Sequence, residues 1–423
     1  MHVVILGNGI TGVTAARTVR KLDSTVRITM VSGESDHHFS RPALMYVYMG
    51  HMRYRDTKPY EDHFWARNRI ELRRAWVTRI DAGAKHLELD DGSKLPYDRL
   101  LLATGSVPNR FGWPGQDLKR VHGMYSLLEL IELERNTAAI RHGVVVGGGL
   151  IGIELAEMLH SRGRHVTLLV REDEYWDNVL PTEEARMVGR AIRAAGIELR
   201  LKTELGEILD DGTGACGGVV TKAGDRIDCQ FVGLTAGVRP NVTVAADSGI
   251  ETKRGIAVNG FLETSAPDVW AAGDCAHVHP EGGEPFLEQV WYTGRAQGEV
   301  VARNLLGERV AYARGIWFNS AKFLDLEYQI YGEIPNRPVA GVGHLYWEHP
   351  DGARSVRICH RDGAFIGLQA MGIRYRHRVC EAWIRSAVPV DQVVQQLHLA
   401  CFDPELFPRY ESALRSGLRE VSP

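Results

Sequence analysis

The sequence predicts an α/β fold made of two Rossmann-like units, followed by an α+β carboxy-terminal domain. Three observations predict it. The chain opens on VVILGNGITG, Val3 to Gly12, an apolar run ending in Gly7, Gly9 and Gly12. The pattern returns 140 residues later as VVVGGGLIGIE, Val144 to Glu154, with Gly147, Gly149 and Gly152. Near the end, residues 352–373 alternate like antiparallel strands, and 375–416 carry apolar faces at helical spacing around Ala382–Ile384 and Val393–Leu399.

Each glycine in the repeated GxGxxG pattern has its own task. The first permits a tight turn, the second lets backbone approach a pyrophosphate, and the third lets the helix pack against its strand. Ile10 and Thr11 open one helix, Leu150 and Ile151 the other, so both pairs bring free N–H groups and the positive end of a dipole to phosphates. Two copies predict two dinucleotides on one chain.

Length and composition bound the rest. At 423 residues the chain is too long for a single core. Its 44% hydrophobic and 24% charged residues describe an ordinary globular protein. A formal charge of −3 with dispersed basic residues gives no nucleic-acid footprint. The first strand begins at residue 2, which leaves no room for a signal peptide, and no apolar run approaches the roughly 18 residues of a membrane span. The six cysteines show no CxxC and no metal-ligand spacing, so a reducing cytoplasm and no metal are expected.

In order, a helix is expected to about Lys21 and a strand over Val26–Val31. Glu34 then lies 22 residues past Gly12, where an acid accepts the adenosine ribose hydroxyls; a solvated loop acid is the other reading. His37 and His38 are expected in a loop. Arg41, ahead of Pro42 in FSRPALM, is placed to meet a pyrophosphate. At this point the sequence resembles the two-dinucleotide flavoprotein reductases of the pyridine nucleotide–disulfide oxidoreductase superfamily, whose type structure is glutathione reductase. Within that superfamily, FSRPALM resembles the Y-x-R-P-x-L segment of the ferredoxin, rubredoxin and nitrite reductase flavoproteins. Phe39 stands for the tyrosine, and Tyr46 for a lysine often found there. The disulfide reductases carry a redox cysteine early in the chain; here none precedes Cys216.

The resemblance extends onward. A strand near Trp76–Ile80 brings Val77 toward FAD, and a hairpin turns at Asp90–Asp91–Gly92. YDRLLLATGSVPN, Tyr97 to Asn109, matches a strand ending in a turn where Ala103, Thr104 and Gly105 contact FAD. A proline- and glycine-rich linker, Asn109 to Gly115, crosses to the second unit. There, HVTLLVRED has Val170 at the place of the usual carboxylate and Arg171 after it, 19 residues past Gly152. An arginine suits the 2′-phosphate of NADPH, whereas Glu172 or Asp173 would suit the 2′-hydroxyl of NADH; the lean is to NADPH.

Glu154 takes the position where the resemblance implies a catalytic glutamate near the nicotinamide, an exposed helix acid being the alternative. LTAGVRPN, with Gly237, closes the second nucleotide domain. LETSAPDVWAAGDCAHV matches the second FAD signature, with Gly273 freeing Asp274 to accept the ribityl hydroxyls and Cys275 as a packing residue. From Glu288 a helix is expected, its Val290 and Trp291 at the flavin.

The implied domains are 1–113 with 247–313 for FAD, 114–246 for NAD(P)H, and 314–423 as an interface domain. The implied activity is hydride transfer from NAD(P)H to FAD and then electron transfer to an acceptor such as a small redox protein, oxygen or an organic molecule. Two further readings stand beside it. One is a quinone reductase, which needs an amphipathic tail for which Val388–Leu399 is poor. The other is a redox sensor or interaction protein, as in the apoptosis-inducing-factor relatives. Arg374 to Arg378, RYRHR, either dock an acidic carrier or form a solvated face. A homodimer is compatible with the family, and the tail Cys401 to Phe407 has no assignment.

Overall fold

The computed structural model describes residues 1–402, 405 and 407–423. Asp403, Pro404 and Leu406 of the unassigned tail lie outside the described residues. The chain forms two compact units. One comprises 1–109, 125–134 and 237–314; the other comprises 110–124, 135–236 and 315–423.

The first unit is built on a five-stranded parallel sheet, ordered Val269–Ala271, Arg99–Leu102, His2–Leu6, Arg27–Ser32, Ile70–Arg74. The strands are nearly continuous apolar runs because both faces are covered: Val3, Val4, Ile5, Leu100, Leu101 and Leu102 are all buried. A three-stranded meander, Val77–Asp81, His86–Leu89 and Lys94–Pro96, is inserted between the third and fourth parallel strands in chain order, Ile70–Arg74 and Arg99–Leu102, and turns at Asp90–Gly92. The helix Ile10–Leu22 follows the first strand.

The second unit repeats this plan. Its parallel sheet runs Val121–His122, Phe231–Leu234, His142–Val146, His165–Leu169, Glu198–Arg200. Its meander is Leu205–Asp210, Cys216–Thr221 and Arg226–Asp228. The outermost strand differs in origin. It comes from the returning chain (Val269–Ala271) in the first unit and from the entering chain (Val121–His122) in the second.

The repeat reaches individual side chains. In the first unit, His2 Nε2 lies 2.9 Å from the Thr29 hydroxyl, which lies 3.0 Å from Glu71 Oε2. In the second, His142 Nε2 lies 2.9 Å from the Thr167 hydroxyl, which lies 2.7 Å from Glu198 Oε2. Each histidine–threonine–glutamate bridge ties three adjacent parallel strands at the end of the sheet opposite the glycine turn. Thr29 and Thr167 are fully buried, so their hydroxyls need these partners.

The last hundred residues of the second unit form a six-stranded antiparallel sheet, ordered Phe318–Phe323, Leu326–Gly332, Ala364–Met371, Ser355–Arg361, Val342–Glu348, Arg419–Glu420. The helices His377–Arg385, Val390–Gln396 and Glu411–Gly417 pack on it. Val393 and Leu397 belong to this core, so the apolar face of Val388–Leu399 is turned inward. Within RYRHR, Arg374 is bound by Glu327, the guanidinium of Arg376 stands over Phe402, and His377 faces Glu381. No helix among the described residues is long and apolar enough to cross a membrane.

One local expectation is revised. The helix expected from Glu288 begins at Trp291 and runs to Asn304. Glu288 is instead buried, accepting hydrogen bonds from Arg314 and Tyr312. His38 lies in a loop as expected, where it is buried and donates from Nδ1 to the Asn8 carbonyl at 2.8 Å.

Candidate functional site

In the first unit the turn Gly7–Gly12 is shaped by backbone contact. Gly7 has φ 114°, and a Cβ there would stand 2.1 Å from the Ala103 carbonyl oxygen; a Cβ on Gly12 would stand 2.1 Å from the Gly7 carbonyl oxygen. Only glycine fits either place. A Cβ on Gly9 would meet nothing within 4 Å. So the first and third glycines serve internal packing, while the second faces open space where Ile10 and Thr11 begin the helix. That space is what a pyrophosphate requires.

The turn is braced from a loop the sequence left unexplained. The Asn8 amide donates to the carbonyl and hydroxyl of Ser35, both at 3.0 Å, and the Asn8 carbonyl accepts from His38. Burial holds the His38 imidazole below its ordinary range, so it serves as a neutral donor. Glu34 and Arg41, assigned to different parts of the nucleotide, stand together. Arg41 donates to both Glu34 carboxylate oxygens, at 2.9 and 2.7 Å, and to the Tyr125 carbonyl at 2.7 Å. The Leu127 N–H donates to Glu34 at 2.9 Å. Next to Glu34, the Trp76 indole lies over Gly33, where a Cβ would touch the ring at 2.1 Å, and it remains exposed. Val77 follows it at the start of the meander.

Asp274 is reached from another direction. Gly273 has φ 80°, donates its N–H to Gln297 Oε1 at 2.7 Å, and packs against the Thr11 side chain. The Asp274 carboxylate accepts from the Ser106 hydroxyl at 3.1 Å, and the Gln289 amide donates to that hydroxyl at 2.7 Å. Burial holds the carboxyl above the usual carboxylate range, against the opposing pull of Ser106 and Arg41. Tyr125 OH accepts the Ser106 N–H at 3.3 Å, and its ring carries the Arg41 guanidinium at 4.8 Å. Thr104 donates to the Asn241 carbonyl at 2.7 Å, and the Asn241 N–H bonds the Gly105 carbonyl.

Val290 caps the helix Trp291–Asn304 in extended conformation, and Trp291 and Tyr292 expose 41% and 38% of their surfaces beside it. Gly294 and Gly298 let this helix approach the one led by Thr11, with Cβ positions 2.9 Å from the Thr11 hydroxyl and 2.7 Å from its carbonyl. An open glycine, a buried carboxylate with a polar bracket, and exposed rings at a helix amino-terminus fit a flavin dinucleotide. Sequence reasoning missed Ser106, Tyr125 and Gln289, which lie far apart in the chain and carry no spacing signal.

The second unit has the same turn chemistry. A Cβ on Gly147 (φ 134°) would stand 2.4 Å from the Thr235 carbonyl oxygen, and one on Gly152 2.3 Å from the Gly147 carbonyl oxygen, while one on Gly149 would meet nothing within 4 Å. Leu150 and Ile151 open the helix Leu150–Ser161. The Gly149 carbonyl is fixed by a 2.7 Å hydrogen bond from the buried Tyr175 hydroxyl, again unsignalled in the sequence. Val170 is buried under Gly148. Glu172 reaches the turn, its Oε2 lying 3.4 Å from where a Gly148 Cβ would be. Arg171 points away: its side chain is 74% exposed against 21% for Glu172, and it donates from Nε to Glu172 at 2.7 Å. Gly237, with φ 83°, lies in the first unit near the Asn109 amide.

Glu154 lies one turn into the helix Leu150–Ser161, deep among protein atoms but with part of its surface open. Burial, joined by the neighbouring Glu157 carboxylate, pushes its pKa up to about 7, and only Lys322 pulls it back. Lys322 is paired with Glu157 at 2.8 Å. Such a group holds a proton near neutrality in reach of the turn's helix end.

The family model for pyridine nucleotide-disulphide oxidoreductases matches residues 1–298. The chain is 30% identical over 396 residues to the ferredoxin–NAD(+) reductase component of the p-cumate 2,3-dioxygenase system of Pseudomonas putida, covering 92% of this chain and 94% of that one. It is 30% identical over 332 residues to rhodocoxin reductase of Rhodococcus erythropolis, covering 76% of each. The crystal structure of the ferredoxin reductase for the CYP199A2 system of Rhodopseudomonas palustris superposes with a TM-score of 0.80 at 26% identity, over 98% of this chain and 99% of that one. With its two glycine turns, its Asp274 bracket and these likenesses, the chain belongs to the pyridine nucleotide-disulphide oxidoreductase family and is an FAD- and NAD(P)H-dependent oxidoreductase.

Proposed function

We propose that this enzyme takes hydride from NADH and passes electrons to a small protein carrier of the ferredoxin class. The carrier is inferred from the relatives that the chain matches over most of its length. Bound FAD would supply the redox chemistry, two-electron acceptance from the nicotinamide and one-electron release to the carrier. The protein's share is binding, orientation and electrostatics. Gly7, Gly9 and Gly12 with Ile10 and Thr11 hold the pyrophosphate, and Trp76 and Val77 border the adenosine end. The Glu34–Arg41 pair stiffens the loop beside it. Asp274, set by Ser106 and Gln289, accepts from the ribityl chain, and Val290 and Trp291 bring a helix amino-terminus to the ring, where N–H groups favour added negative charge. Ala103, Thr104, Gly105, Gly237 and Gly273 carry the surrounding backbone. In the second unit Gly147, Gly149 and Gly152, with Leu150 and Ile151, hold the nicotinamide nucleotide's phosphates.

The single observation that carries the choice of NADH is Glu172. Its carboxylate approaches the glycine turn, where it suits a ribose 2′-hydroxyl and repels a 2′-phosphate, while Arg171 is turned to solvent and tethered to Glu172. No thiolate relay is proposed: Cys275 is the one cysteine of the first unit, and burial pushes its thiol pKa up. The test is the rate at which NADH and NADPH bleach the flavin as the concentration of each is raised. Tighter saturation by NADH, weakened in Glu172→Ala, supports the assignment; tighter saturation by NADPH overturns it.

A further inference from the structure

Cys216 and Cys229 lie in the second unit, 13 residues apart, with their sulfurs 3.7 Å from each other. They are 1% and 0% exposed. Cys216 begins the middle strand of the meander, and Cys229 opens the two-residue connection from the last meander strand to the parallel strand Phe231–Leu234. Both belong to the apolar core that joins meander and sheet, with Val144, Val146, Leu205 and Val219. Of the two, Cys216 is the more acidic, favoured by the hydrogen bond from Cys229.

We propose that these two cysteines are a redox modification site: a hydroperoxide links them as a disulfide, and the link loosens nucleotide binding by the second unit. The first step is attack of the Cys216 thiolate on a peroxide oxygen. The O–O bond breaks, water leaves, and Cys216 becomes a sulfenic acid. The Cys229 thiol then attacks the Cys216 sulfur, the S–O bond breaks, and a second water leaves. Two thiols and one hydrogen peroxide thus give one disulfide and two waters. A dithiol reductant reverses the change by exchange.

The route to the nucleotide turn is short. Cys229 leads directly into Phe231–Leu234, and the next residue is Thr235. Thr235 donates its N–H and its hydroxyl to the Val146 carbonyl, each at 2.9 Å, and its carbonyl packs against Gly147. Closing the bond draws the two sulfurs to about 2 Å, pulling the start of the strand that supports the turn. This effect rests on the reading of the second unit as the nicotinamide-nucleotide site; the linkage itself does not.

The test treats purified holoenzyme with hydrogen peroxide, blocks remaining thiols in denaturant, and maps peptides by mass spectrometry. In parallel, NADH affinity is measured before oxidation, after it, and after dithiothreitol. The expected result is a Cys216–Cys229 linked peptide lighter by two hydrogens, with NADH weakened about fivefold or more and restored by reductant. Cys229→Ser should lose both responses, and Cys401→Ser should keep them. Absence of the linked peptide while Cys401 is oxidised overturns the site, independently of whether any variant folds. A linked peptide with unchanged NADH affinity overturns the regulatory coupling. Reduced enzyme that binds no nicotinamide nucleotide instead refutes the site reading beneath it.

Discussion

Replacing Glu154 with glutamine separates this carboxyl's charge from its shape. In the folded protein its pKa stands at about 7 against an ordinary 4.5, which corresponds to roughly 3 kcal/mol in favour of the neutral acid. The sign follows from proton linkage. The folded state holds the proton more tightly than the unfolded chain, so wild type loses stability as pH rises from 4.5 through 7. The amide pays no such penalty. Glu154→Gln should therefore equal wild type in stability below about pH 4.5 and exceed it above about pH 7, by up to roughly 3 kcal/mol. Denaturant titrations at a series of pH values measure the difference. The rate of flavin bleaching by NADH should show an ionisation near 7 in wild type that disappears in the variant. Lys322→Met removes the one charge that lowers the value, and should move the ionisation higher. Parallel stability curves for wild type and Glu154→Gln across this range would show that burial does not raise the Glu154 pKa.

Other outcomes follow from the same structure. Asp274→Ala removes the carboxylate held by Ser106 and should weaken FAD retention by about 1.5–3 kcal/mol, read by flavin release on dilution. Arg171→Ala should leave NADH affinity almost unchanged because that side chain is mostly in solvent, whereas Glu172→Ala should weaken NADH by about tenfold or more without weakening NADPH. Thr29→Val and Thr167→Val each remove the buried hydroxyl at the centre of a histidine–threonine–glutamate bridge whose glutamate stays partly in solvent. Each should cost about 0.5–1.5 kcal/mol in denaturant unfolding, and the double variant should show the sum. Burial holds His2 and His142 below the ordinary 6.5, so the fold favours their neutral forms; stability is full above pH 6.5 and should decline as pH falls below it.

How much was legible depended on whether a feature was local. The glycine turns, the strands beside them and Asp274 were readable because each is fixed within a dozen residues, by φ, by close backbone contact or by an apolar run. The direction of Arg171 was not. Counting from Gly152 reaches the end of the strand but does not tell which of two neighbours faces the turn. Side chains alternate there, so burial of Val170 sends Arg171 outward and returns Glu172 inward. The Glu34–Arg41 pair, the Tyr175 bond to Gly149 and the His38 bond to Asn8 join residues 7 to 30 positions apart. Such bonds form once the fold closes, and no periodicity foretells them. The twin histidine–threonine–glutamate bridges were hidden for the same reason: their members lie on three strands separated by whole helices.

The proposed function is electron transfer from NADH through bound FAD to a one-electron protein carrier. The most direct measurement mixes the FAD-loaded enzyme anaerobically with NADH in a stopped-flow instrument, then with an oxidised ferredoxin-class protein. The expected result is full bleaching of the flavin by NADH at a rate that saturates with concentration, followed by recovery of flavin colour as two carriers per flavin are reduced. Bleaching by neither NADH nor NADPH would contradict it, as would bleached flavin that no carrier of this class reoxidises.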